Sequence, residues 1–207
     1  MGFNTYGYKK KTINGGIPVW LRVVGKEISG GKLEKLPPIG SVLPAGTLVS
    51  IERAGGLAKV LNTFEVASNV TAEATEIKIV AASGMPKPAV GTFIMKAPAS
   101  VSTKGKGIAV TTVTENSDGT ISIAIEANAL GTLSKGDILV EATAAGASVT
   151  IYCIPTGLTQ DDVYVDEGDT AATIASVYSG QIMEDRIQPI PDCVKAVLSQ
   201  IKFEKGV

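Results

Sequence analysis

One short pattern recurs at a fixed interval and constrains the whole chain. "PAGTLVSI" begins at Pro44, "AVGTFIMK" at Ala89 and "SKGDILVE" at Ser134. Each has a glycine, then Thr or Asp, then a hydrophobic run, and the glycines at 46, 91 and 136 are 45 residues apart. A glycine ahead of a strand supplies a turn conformation that other residues reach only at a cost. The last two copies are each preceded by an alternating strand pattern, "ATEIKIVAA" and "DGTISIAIEANALG", and "SDGT" at 117–120 signals a hairpin turn. Residues 62–147 therefore read as two copies of a β-hairpin plus a Gly-led strand. A coincidence of short patterns in a Gly-rich β chain is the competing reading.

The flanking segments are also strand-like. "IPVWLRVVG" (17–25) reads as a strand, "KEISGGKLEKLPPIG" (26–40) as a polar loop, and "TLVSIE" and "LAKVLN" as two strands around Gly55-Gly56. "ASVTIYCIPTG" (147–157) reads as a strand, and "TAATIASVYSGQIM" (170–183) as an apolar one stopped at Gly180. Only "PDCVKAVLSQIKF" (191–203) carries a helical stripe, with Val194, Val197, Leu198 and Ile201 at i, i+3, i+4 and i+7 after a Pro-Asp start. Strands do not alternate with helices, so a doubly wound sheet is not expected. The expected fold is mainly β: a small barrel- or sandwich-like base domain, an inserted β-repeat domain and a short C-terminal helix.

Composition narrows the function classes. A net charge of −1 lacks the basic footprint of a nucleic-acid binder. The chain has no histidine, which removes Ser-His and Cys-His nucleophile pairs and the usual zinc ligands. Its two cysteines, Cys153 and Cys193, sit at no motif spacing and read as small buried hydrophobes in a reduced interior. No apolar run approaches the ~20 residues of a membrane span. The segment after Lys9–Lys11 is broken by Asn14, Gly15, Gly16, Pro18 and Arg22, so it is not the apolar core of a signal peptide. The sequence reads as a soluble protein made and kept without export.

Three stretches could carry chemistry. The arm at 1–15 interleaves Phe3, Tyr6 and Tyr8 with Lys9, Lys10 and Lys11. It could dock on a protein partner, stack nucleic-acid bases, or be a plain solvated terminus. "STKGKGIAV" (102–110) lacks the spacing of a phosphate loop or a dinucleotide loop and reads as a mobile turn. "LTQDDVYVDEGDT" (158–170) holds Asp161, Asp162, Asp166, Glu167 and Asp169 without one basic residue. Its rhythm departs from a calcium loop, which leaves a weak divalent site as one reading and a polar strand connection as the other. In the second, Thr159 and Asp162 cap a turn and Glu167-Gly168-Asp169 form a tight one. No cofactor is expected.

Two parts of the chain, "AGTLVSIERAGGLAKVL" and "IPTGLTQDDVYVDEGDTAATIASVYSGQI", together resemble the head decoration proteins of tailed phages. The resemblance rests on Ala45-Gly46-Thr47, Gly55-Gly56, Gly157-Leu158, the acids Asp161 to Asp169, and Thr173 to Gly180. The layout is also similar to prophage head fibre or capsid-associated proteins, in its "YGYK…GG-P" arm and in Arg186 to Pro191 with Lys195-Ala196. The resemblance covers about half the chain, and residues 62–147 interrupt it. It implies a discontinuous base domain, 16–61 with 148–207, carrying an inserted β-repeat at 62–147. It also implies a non-enzymatic virion protein made in the host cytoplasm. Such a protein binds the outside of the capsid through the major capsid protein, often as a homotrimer, without nucleic acid or membrane. The alternative is a phage tail, fibre or surface carbohydrate-binding β module using Trp20 and scattered tyrosines. An enzyme would have to work through carboxylates such as Asp162 and Asp169.

Overall fold

The computed structural model describes residues 18–27, 30–52, 56–81, 85–126 and 130–206, and the arm at 1–15 lies outside them. The chain first lays down β1 (Trp20–Lys26), β2 (Gly31–Leu33), β3 (Val42–Leu43), β4 (Leu48–Ile51) and β5 (Leu57–Leu61). Next come β6 (Thr63–Glu65), β7 (Glu76–Val80), β8 (Phe93–Lys96), β9 (Gly105–Ala109), β10 (Thr112–Glu115), β11 (Thr120–Ala124), β12 (Ile138–Glu141) and β13 (Gly146–Val149). The chain closes with β14 (Gly157–Thr159), β15 (Val163–Tyr164), β16 (Thr173–Ile174), β17 (Ser176–Met183), a 3-10 turn at Glu184–Arg186, α1 (Asp192–Val197) and β18 (Ile201–Glu204). The molecule is mainly β, with one short helix near its C-terminus.

Hydrogen bonding divides these strands into two systems. The base sheet runs β1-β17-β14-β4-β5-β2-β16, with β18 pairing parallel to β17, and it curls into a half-barrel. A two-stranded ribbon of β3 and β15 stands beside it. Strands β6 to β13 instead form a five-stranded sheet, β13-β9-β8-β12-β6, and a three-stranded sheet, β10-β11-β7. Each system has its own core. Leu48, Leu61, Leu158, Ile182 and Val194 pack in the base. Ile77, Ile79, Ile94, Ile121, Ile123 and Leu139 close the space between the five- and three-stranded sheets. Strand alternation then aims Met95 and Val140 at the opposite face, where Ile151 joins them, so the central strands β8 and β12 are buried on both sides.

The Gly-led repeats fold into one hydrogen-bonded motif three times over. Gly46, Gly91 and Gly136 adopt φ of +80°, +85° and +89°, the region required at the third position of a type II turn. Their N–H groups donate to the carbonyls of Thr159, Val110 and Val66, each at 2.9 Å. The N–H groups of those same three residues donate back to the carbonyls of Thr47, Thr92 and Asp137, the residue after each glycine. The side chain at that position also closes each turn. Thr47 and Thr92 donate Oγ1 to Pro44 O and Ala89 O at 2.7 Å, and Asp137 Oδ2 accepts from Ser134 N–H at 2.8 Å. That division of labour explains why the position is Thr or Asp and nothing larger.

Several expectations need correction. The 26–40 segment is not only a loop, because β2 sits inside it and pairs with β5 and β16. The 102–110 segment is not a turn but largely the strand β9. Its glycines mark a close approach: a Cβ on Gly107 would overlap Ala144 O and stand 2.7 Å from Val149 Cγ2. The strand at 170–183 does not stop at Gly180, because β17 runs on to Met183. There a Cβ on Gly180 would stand 2.5 Å from Arg22 O, so glycine admits β1 rather than ending β17. The helix expected at 191–203 ends at Val197, and Ile201 belongs to β18. A stripe of β-branched and aromatic residues satisfies a strand beside β17 as well as it satisfies a helix.

Candidate interaction surface

The sequence singled out the arm and the acidic stretch. Phe3, Tyr6, Tyr8, Lys9, Lys10 and Lys11 lie outside the described residues. The acidic stretch is described, and two of its carboxylates are occupied as backbone caps. Asp162 Oδ1 accepts the Ala45 N–H at 2.8 Å, and Thr159 Oγ1 accepts the Thr47 N–H at 2.9 Å. Both therefore serve the Gly46 turn, more than a hundred residues away in sequence. Asp169 Oδ2 accepts the Asp166 N–H at 2.8 Å across a turn in which Gly168 has φ +94°. Among the described residues, no three acids or cysteines gather as a metal site would require.

A second polar group joins the two sheet systems. The chain passes from β5 to β6 through Asn62, and Glu141 at the end of β12 grips that crossing. Its carboxylate accepts Asn62 N–H at 3.2 Å and Asn62 Nδ2 at 3.1 Å, and its N–H donates to Asn62 O at 3.1 Å. Its own carbonyl accepts Tyr152 N–H at 2.8 Å, where the chain returns to the base. Tyr152 Oη donates to Glu34 Oε2 at 2.9 Å, and Lys35 Nζ stands 5.4 Å from the Tyr152 ring centre. Burial, with Glu141 nearby, pushes the Cys153 thiol up to about 12, so it stays protonated and unreactive. Cys153 and Cys193 are both free and buried.

Burial raises the Glu141 carboxyl above its ordinary value, against the pull of the Asn62 hydrogen bonds. A carboxyl whose pKa rises on folding binds protons more tightly in the folded state. Its contribution to stability is complete below the unfolded value near 4.5 and is lost as pH rises through the folded value. We expect Glu141→Gln to remove that decline from a series of denaturant melts between pH 4.5 and 7. An unchanged slope would assign it to other groups.

The described surface holds one further feature, and the sequence reading missed it. β1 lies at the end of the base sheet and, among the described residues, pairs on one side only, with β17. Their register slips three times. Trp20 and Arg22 face Ile182 and Gln181, which leaves Leu21 without a partner; Val23 and Gly25 face Gly180 and Ser179, which leaves Val24 without one. Gly25 and Lys26 then face Ser179 and Val177, which leaves out Tyr178 on β17. A bulge re-aims the extra side chain, and here all three extra residues are large, apolar-bodied and exposed, Leu21 at 54%, Val24 at 65% and Tyr178 at 43%. The Tyr178 ring lies over Gly25, where an added Cβ would stand 2.6 Å from Cε2. The signal was present in "LRVVG": three apolar residues in four positions break the alternation of a half-buried strand.

Trp20 opens β1, but its side chain is directed to the core and not to this exposed row. It packs on the base core, and its Nε1 donates to Thr159 O at 3.0 Å. Among the described residues, no helix is long and apolar enough to cross a membrane. No family model, curated protein or solved structure matches the chain.

Proposed function

We propose that this chain is a non-enzymatic structural protein of a tailed phage or prophage particle, docking on the outside of the capsid as a head decoration or head fibre protein. The observation that carries this reading is the bulged β1–β17 edge, where Leu21 and Val24 on β1 and Tyr178 on β17 are exposed and where β1, among the described residues, pairs on one side only. Exposed apolar side chains set along one sheet edge are a protein-docking feature. Of the aromatics a glycan platform would draw on, the chain's single tryptophan is committed to the base core and to Thr159, while Tyr178 is exposed beside Leu21 and Val24 on the docking edge.

The residues that carry the phage resemblance support the reading from a second direction. Ala45-Gly46-Thr47 and the 157–169 connection lie far apart in sequence, yet they meet in one motif through Asp162 and Thr159. A resemblance read from two separate stretches thus rests on one piece of three-dimensional structure. In this reading the base sheet is the capsid-facing part, the protein assembles as a homotrimer with the major capsid protein as its partner, and β6 to β13 project from it.

The test is mass spectrometry of density-gradient-purified particles from cells carrying either the native chain or Leu21→Asp/Val24→Asp. Both positions are exposed, so the double variant should keep its stability within about 1 kcal/mol. The native chain is expected at a copy number near that of the major capsid protein, and the variant at least tenfold lower. Absence of the native chain from particles would overturn the proposal.

A further inference from the structure

The base carries two exposed patches of opposite charge. The first is the edge of β1. Beside Leu21 and Val24, β1 holds Arg22 and Lys26, both exposed, and no acid. Among the described residues neither cation enters an ion pair.

The second patch is the connection that follows β15. Asp166, Glu167 and Asp169 are exposed there, and among the described residues none of them pairs with a cation. Ile39 stands beside them and is 67% exposed. It is held there because Gly40 N–H donates to Val165 O at 2.8 Å and Val165 N–H donates to Ser41 O at 3.2 Å.

An apolar spot flanked by cations thus has its complement in an apolar spot flanked by carboxylates. We propose that the β1 edge of one copy docks on the acidic connection of a second copy, with Arg22 and Lys26 facing Asp166 and Glu167 across the contact. The pairing lies between copies, because no ion pair joins the two patches within one chain. An apolar centre with a charged rim is the anatomy of a protein interface, and covering an exposed sheet edge protects it. Two β1 edges set against each other would bring cations to cations, which opposes that alternative.

A contact between two different patches is heterologous, and repeated about an axis it closes a ring. The inference rests on the capsid reading only for the number of copies, three. In such a ring the copies cover one another's β1 edges, and the capsid receives the assembled base.

Analytical ultracentrifugation of the full-length chain tests the inference. The native chain is expected to sediment as a trimer. Arg22→Glu/Lys26→Glu and Asp166→Lys/Glu167→Lys are each expected to weaken self-association by about tenfold or more, since like charges then face each other. The chain carrying all four changes has its charges exchanged rather than lost, and it is expected to assemble again. A native chain that stays monomeric would overturn the inference, and so would half-exchanged variants that assemble as the native chain does. A second readout uses none of these variants. Copies carrying Val24→Cys, mixed with copies carrying Ile39→Cys, are expected to form a mixed disulfide, for which the buried native thiols do not compete. Val24→Cys copies that link only to one another would place β1 against β1 and sink the proposal. None of these readouts involves particles. Failure here leaves the capsid proposal to the particle experiment, and absence from particles leaves the contact between copies standing.

Discussion

Gly46→Ala is expected to lower the melting temperature by about 8–15 °C, whereas Gly91→Ala and Gly136→Ala each lower it by about 3–6 °C. All three glycines occupy the same left-handed turn position, so a side chain at any of them costs about 1–2 kcal/mol in backbone strain. Their surroundings separate them. Around Gly91 and Gly136 an added Cβ meets nothing within 4 Å. At Gly46 it would overlap Cγ2 of Ile187 and approach Val19 and Ile182 at 3.1 and 3.2 Å, all buried in the base core. Overpacking of that kind adds about 1–3 kcal/mol. Thermal melts of the three single variants decide the point. Equal shifts would mean that the motif's backbone alone sets the penalty and that the Ile187 contact relaxes freely.

Leu139→Ala is the second large effect. Leu139 on β12 is fully buried between the five- and three-stranded sheets. Truncating such a leucine costs about 2–5 kcal/mol, more where the neighbours cannot collapse into the space. That core shares no residue with the base core around Leu48 and Leu158. We therefore expect the loss to appear as an early transition in circular dichroism, while Trp20 fluorescence melts at its native temperature. Trp20 is a clean reporter because it is the only tryptophan and its Nε1 is bonded to Thr159 within the base. A single transition, with both signals shifting together, would mean that the contacts at Asn62, Glu141 and Tyr152 couple the two cores fully.

The fold was legible where local chemistry and tertiary context agree. Gly46, Gly91 and Gly136 announced their turns because no other residue holds a φ near +80° at low cost. The hairpin at "SDGT" was legible for the same reason, and Gly119 takes φ +78° between β10 and β11. Strand termini were less legible. The apolar pattern of β17 passes through Gly180 without a break, and only the approach of Arg22 shows why the glycine is there. The helix was overextended because Val194, Leu198 and Ile201 are all buried, yet Ile201 reaches the core from a strand.

The acidic stretch shows the limit most clearly. Its composition suggested metals or catalysis, and its turn at Asp166 to Asp169 could be read from sequence. The partner of Asp162 could not, since Ala45 N–H is 117 positions away. The bulged edge of β1 was hidden for a related reason. Registers are properties of strand pairs, and a single sequence displays only one strand at a time.

The Glu141 hub has a consequence for how such a chain can change. Asn62 and Tyr152 mark where the polypeptide leaves the base sheet and where it comes back, and one residue hydrogen-bonds to both. The two ends of the intervening stretch are therefore neighbours in space. A stretch held by adjacent ends behaves as a cassette, and one that keeps the Glu141 clamp and the Thr63 hydrogen bond to Pro189 O can change in length without separating the two ends. The doubled Gly-led motif within it is what one round of duplication would leave behind.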